Sequence, residues 1–169
     1  MERTGRLGLG SNVGDRRANL QAAVDGLVRI GVEVLACSST YDTDPVGEVP
    51  DQPPFLNACA RVRTAMEPLE LLDAVKALER DLGRRAAPRH GPRVIDIDVL
   101  LLGGLELHNE RMTLPHEQLL CRRFVLIPAL ELDFEQSVPG RGRLADALGA
   151  LTLAEGVRWA GPPLSAASV

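Results

Sequence analysis

GPRVIDIDVLLLGG, residues 91–104, decides how the rest of the chain is read. Val94, Ile95, Ile97, Val99 and the leucines after them have the apolar, partly β-branched character of a buried strand, yet two aspartates interrupt the run one residue apart. Successive side chains of a strand leave on opposite faces, so Asp96 and Asp98 share one face while Ile95, Ile97 and Val99 share the other. Two residues of rise bring the carboxylates to about 6–7 Å. Like charges that close repel unless a cation, a shared proton or water relieves them. The apolar face is core; the acidic face predicts a site.

Upstream, RRAAPRHGPR (84–93) holds four arginines and a histidine, broken by two prolines and a glycine. It predicts a loop whose guanidinium forks order over an anionic ligand as a lid. Before it, Pro68 opens a helix carrying Leu69, Leu72, Val75, Leu78 and Leu82, with Gly83 as its stop. FLNACARVRT (55–64) is a strand with an apolar face of Leu56, Ala58, Ala60 and Val62, opposite Phe55, Asn57, Cys59, Arg61 and Arg63. DTDPVGEVPDQPP (42–54), with four prolines, is a loop. VEVLACSSTY (32–41) is one strand, and Asp15 caps a helix from Arg16 whose apolar positions Leu20, Ala23, Val24, Leu27 and Ile30 run to Gly31. RLGLG (6–10) is a short strand entering a glycine turn.

The order strand, helix, strand, strand, helix, strand gives an α+β class: a ferredoxin-like βαββαβ core, an antiparallel sheet with helices packed on one face. From about Glu106 a short hairpin, helical portions and a short helix near Leu144 to Leu151 follow. The chain, 1–169, reads as one domain, with about 161–169 as a frayed tail.

A net charge of −4 argues against a nucleic-acid binder. No apolar run approaches the ~18 residues of a membrane span, so no membrane partner is expected. MERTGRLGLG lacks a signal-peptide core, which predicts a cytoplasmic protein. Cys37, Cys59 and Cys121 have neither disulfide density nor zinc-ligand spacing and read as reduced packing residues. His90, His108 and His116 are too scattered for a metal cluster.

Taken alone, an Asp-x-Asp on a strand is most often a solvated face. Beside an arginine-rich loop, the pair instead suits magnesium and a polyphosphate. Gly8, Gly10 and Gly14 miss the dinucleotide spacing and read as a tight strand-to-helix turn. Phe55 and Asn57 share the non-core face of their strand, an aromatic beside an amide suited to a flat heterocycle. Two other classes remain open: a ferredoxin-like small-molecule-binding regulatory module without catalysis, and a hydrolase using Asp96 and Asp98 as acid and base. The first leaves the carboxylate pair without a purpose, and neither explains the arginine loop.

GLGSNVGD (8–15), YDTDPVG (41–47), DQPPFLNA (51–58), GPRVIDIDVLL (91–101) and LPHEQLLCRRFVLIPALEL (114–132) occur in this order and spacing. Together they resemble the 6-hydroxymethyl-7,8-dihydropterin pyrophosphokinase family of folate biosynthesis, over about residues 7–135. The resemblance implies transfer of the β,γ-diphosphoryl group of ATP to the hydroxymethyl oxygen of the pterin, leaving AMP. It implies that Arg84, Arg93, Asp96 and Asp98 are catalytic, the two aspartates holding two magnesium ions and the arginines holding phosphates. Thr43, Asp44, Pro45, Val46, Phe55, Asn57 and Phe124 would bind the pterin. Glu79, Arg93, Val99, Arg111, Thr113, His116 and Arg122 would bind ATP. The expected partners are these two small molecules, with the protein a monomer. The chain departs from the family pattern at Glu117, where proline is frequent, at His90, where an aromatic often stands, and at Lys76, where some members carry an amide.

Overall fold

The computed structural model describes residues 1–44, 52–83, 92–151 and 156–166. The expected order is present: β1 (Arg3–Ser11), α1 (Arg16–Arg29), β2 (Glu33–Cys37), β3 (Thr40–Thr43), β4 (Phe55–Thr64), α2 (Pro68–Asp81) and β5 (Asp96–Leu102). β4 and β5 flank β1, both antiparallel to it, and β2 and β3 pair with the far side of β4. This is the ferredoxin-like arrangement.

The single strand expected over 32–41 is two strands. The break falls at Ser38, whose hydroxyl accepts from Cys59 N at 2.9 Å and donates to Ser39 O at 2.8 Å. A serine hydroxyl competes locally with the sheet ladder, and here it takes over one ladder bond and turns the chain.

α1 begins where expected, with Ala18 N donating to Asp15 Oδ1 at 3.1 Å. α2 starts at Pro68, and Glu67 N donates to Glu70 Oε1 at 3.2 Å, a reciprocal device for orphan amides at a helix start. Its inward stripe is Leu71, Val75 and Leu78, whereas Leu69, expected inside, is 38% exposed. The helical period of 3.6 places Leu71, not Leu69, in line with Val75 and Leu78. Leu7, Leu20, Leu27, Leu71 and Ile97 are fully buried between the sheet and these helices. Each such side chain contributes about 1.5–3 kcal/mol by leaving water.

The other face of the sheet is covered too, contrary to the expectation of helices on one face only. After the hairpin β6 (Leu107–His108) and β7 (Thr113–Leu114), α3 (Arg123–Leu132) packs on it. Then come β8 (Ser137–Val138), β9 (Gly142–Arg143) and α4 (Leu144–Ala150). Leu126, Ala129 and Leu144 form a second core with Cys59 and Leu100, so Cys59 is interior rather than on an open face. Cys37 is also buried, but Cys121 is exposed and is not a packing residue.

Of the tail expected to fray from about 161, residues 161–166 are described and packed against the domain. β10 (Val157–Gly161) adds to the sheet edge beside β3. Beyond it Leu164 is buried, and Arg17 on α1 donates to Pro162 O and Pro163 O at 2.9 and 3.2 Å. Among the described residues no helix is long and apolar enough to cross a membrane.

Candidate active site

The site occupies the open half of the face that α3 covers. In the register of the sheet, Gly10 lies between Asn57 and Asp96, and Gly8 between Cys59 and Asp98. All six therefore look the same way. Gly8 and Gly10 are strand residues rather than part of the expected turn; only Gly14, with φ +72°, turns the chain. A Cβ on Gly10 would lie 2.9 Å from Asn57 Oδ1, so the bare backbone keeps the floor open.

This floor belongs to a cavity of about 250 Å³. Phe55 reaches it from the sheet and Phe124 from α3; Thr43, Asp44, Asn57 and Arg93 complete its rim, with Asp96 and Asp98 at one end. Asn57 Nδ2 donates to Thr43 Oγ1 at 2.6 Å, which fixes the amide plane. A second cavity, of about 560 Å³, is lined by Val99, Arg111, Thr113 and His116, together with Lys76 and Glu117. Asp98 lines both cavities. The described residues among those expected on the heterocycle thus fall in one cavity, the expected nucleotide residues mostly in the other, and Asp98 stands where they meet.

Burial, and then the neighbouring Asp96 carboxylate, push the Asp98 carboxyl up to about 7; Glu79 adds to this and Lys76 opposes it. A carboxyl held so far above its ordinary range by burial and like charge is one that a cation would relieve. Among the described residues no cluster of three or more metal ligands is present, and Asp96 and Asp98 are the carboxylates that stand together on one strand face. That donor set suits magnesium, which completes its shell with phosphate oxygens and water.

His116 is held below the usual imidazole range, chiefly by burial, with Asp96 and Glu117 opposing. Its Nδ1 accepts from Gln118 N at 3.1 Å, so the neutral ring carries its proton on Nε2. Arg111 is paired with Asp73, whose carboxyl that hydrogen bond lowers.

Glu79 lines neither cavity. It lies behind β5, 2% exposed, and its Oε2 accepts from Ile97 N at 2.6 Å and from Lys76 Nζ at 3.3 Å. It positions the strand that bears the aspartates. Arg122, at the N-cap of α3, also lines neither cavity. Arg93, expected on phosphate, lines the smaller cavity beside Asp96. Pro45, Val46 and Arg84 lie outside the described residues, as does the expected lid of 84–93 apart from Pro92 and Arg93.

Two positioning residues were missed in the sequence. Asn12 is buried, accepts from Arg93 N at 2.7 Å through Oδ1, and donates through Nδ2 to Gln52 Oε1 and Pro53 O at 3.0 and 3.3 Å. Arg16 Nη1 donates to Asp42 Oδ1 at 2.7 Å and to Pro54 O at 2.9 Å. An asparagine directly after an apolar strand was the available signal for the first; the second gave none.

Fold and site together define a ferredoxin-like α+β protein with two cavities that meet at Asp98. Residues 6–134 match the family model for 7,8-dihydro-6-hydroxymethylpterin-pyrophosphokinase. The 2-amino-4-hydroxy-6-hydroxymethyldihydropteridine pyrophosphokinase of Methylorubrum extorquens is 46% identical over 127 residues, which are 75% of this chain and 80% of that protein. The mitochondrial folate synthesis bifunctional protein of Arabidopsis thaliana is 43% identical over 126 residues, 75% of this chain but only 23% of that protein, so the chain spans about a quarter of this relative. The crystal structure of wild-type Plasmodium falciparum HPPK-DHPS with pterin and p-hydroxybenzoate superposes with a TM-score of 0.68 at 16% identity, over 89% of this chain and 42% of that one; it shares the fold. The chain belongs to the 7,8-dihydro-6-hydroxymethylpterin-pyrophosphokinase family.

Proposed function

We propose that this chain transfers diphosphate from ATP to the hydroxymethyl group of 6-hydroxymethyl-7,8-dihydropterin, a step of folate biosynthesis. The observation that carries this reading is the meeting of the two cavities at Asp98. The smaller, with Phe55, Phe124 and Asn57, takes the pterin: the rings stack on a flat heterocycle, and the oriented amide meets its hydrogen-bonding edge. The larger, with Arg111, Thr113 and His116, takes ATP. The pterin hydroxymethyl oxygen bonds to the β-phosphorus, the bond from that phosphorus to the oxygen bridging it to the α-phosphorus breaks, and AMP leaves with that oxygen.

Transfer of this kind demands positioning and charge neutralisation more than covalent participation by the protein. Asp96 and Asp98 would hold magnesium, two ions in this reading, which neutralises phosphate charge and orients the reacting groups. Arg93, which lines the smaller cavity and whose backbone amide donates to Asn12, would in this reading meet the transferred group. By the family resemblance Asp96, which lines the smaller cavity as Asp98 does, is the candidate to accept the hydroxyl proton. Glu79 keeps β5, and hence both aspartates, in register.

The test is a coupled assay for AMP with ATP, magnesium and the reduced pterin. AMP formed only when all three are present supports the reading. ATP cleavage independent of pterin, or none under any condition, would overturn it.

A further inference from the structure

The C-terminal segment, beyond the residues the family model matches, reaches the pterin-side cavity at Asp44. Asp44 follows β3 and lines that cavity. Its backbone N donates to Gly156 O at 3.3 Å, and its carboxylate accepts from Arg158 Nη2 at 3.4 Å. A Cβ on Gly156 would lie 2.4 Å from Asp44 Oδ2 and 3.0 Å from Arg158 Nη1, so any side chain there displaces the ends of those two side chains. From this contact β10 runs along β3, pairing Val157 with Thr43 and Arg158 with Asp42. Its far end is tied to α1: Arg17 holds Pro162 and Pro163, and Gln21 and Ser165 exchange side-chain and backbone hydrogen bonds at 2.9 and 3.0 Å. Thr43, which orients Asn57, thus lies between β4, where it pairs with Phe55, and β10.

We propose that residues 156–166 form a strap that positions the pterin wall, holding Asp44, and with it Thr43 against Asn57, through Gly156 and Arg158. This rests on the pterin reading of the smaller cavity. The Arg158–Asp44 pair is more than half exposed on both sides, and such pairs add little to stability. The placement of a ligand-contacting wall is far more sensitive, since a displacement of about 1 Å at a site costs up to ~100-fold. The strap therefore acts on pterin affinity rather than on folding or nucleotide affinity.

The experiment titrates the reduced pterin and, separately, a non-hydrolysable ATP analogue with magnesium, against wild type, Gly156→Ala, Arg158→Ala and Arg158→Lys, with melting temperatures for each. Gly156→Ala, which pushes on the Asp44 carboxylate, should weaken pterin binding about 10-fold. Arg158→Ala should weaken it about 3-fold, with Arg158→Lys restoring most of the loss. ATP-analogue affinity and melting temperature should stay at wild-type values. Undiminished pterin affinity in both Gly156→Ala and Arg158→Ala overturns the strap, as does an equal loss for both ligands. Wild-type protein that binds no pterin overturns the functional reading instead.

Discussion

The two faces of the sheet are built from the same strands and obey different rules. Toward α1 and α2, Leu7, Leu9, Ala58, Ala60, Val62 and Ile97 are all within 3% of full burial. Toward α3, the alternate positions of the same strands carry Gly8, Gly10, Phe55, Asn57, Asp96 and Asp98, and dense packing resumes only at Cys59 and Leu100. The period of two makes this division possible: β5 can be fixed on one side and carry an uncomfortable charge pair on the other. The closed face sets where the backbone is, and the open face uses that placement.

If this division holds, neighbouring residues of β5 should fail in different ways. Ile97→Ala should cost about 2–5 kcal/mol of stability, measured by denaturant unfolding, with the remaining folded protein still active. Asp96→Asn or Asp98→Asn should instead lower turnover at least ~100-fold with stability retained or raised, because the repulsion between the carboxylates is relieved. Steady-state kinetics beside unfolding curves would read both, and a large stability loss in the aspartate variants would break the contrast.

Within the open face, Phe55→Ala and Phe124→Ala should each weaken pterin binding by about 1–3 kcal/mol, roughly 5- to 150-fold, and leave ATP binding nearly unchanged. Calorimetric titration of each ligand separates the two, and equal losses would mean the rings serve packing. Gly10→Ala is the mildest change: its methyl meets Asn57 Oδ1, and disturbing one hydrogen-bonding edge should cost about 1 kcal/mol of pterin affinity by the same titration.

The sequence made the division visible before any coordinates, because alternation over FLNACARVRT and VIDIDV is a property of residue order alone. The helix starts were visible for the same reason, since Asp15 and Pro68 act on adjacent backbone. What stayed hidden depends on residues distant in sequence. The break at Ser38 comes from a bond to Cys59, and the burial of Cys59 comes from α3, more than sixty positions on. Glu79 reads as one more charge on an amphipathic helix until Ile97 N is seen against it. The strand VRWAG is too short to declare itself, and its order comes from pairing with β3 and from the tie of the following residues to α1.

The contacts of Glu79 have a consequence for self-association. β5 is an edge strand, and an edge with free amides and carbonyls is a template on which another chain can add. On the outer side of β5, Ile97 N is taken by Glu79, Ile97 O by Lys76 Nζ at 3.3 Å, and Leu100 O by His116 N at 2.9 Å. Side chains of α2 and the backbone after β7 thus stand in for the missing neighbour strand. The strand bearing Asp96 and Asp98 therefore offers fewer backbone groups to intermolecular β-pairing, without a further strand that would crowd the larger cavity.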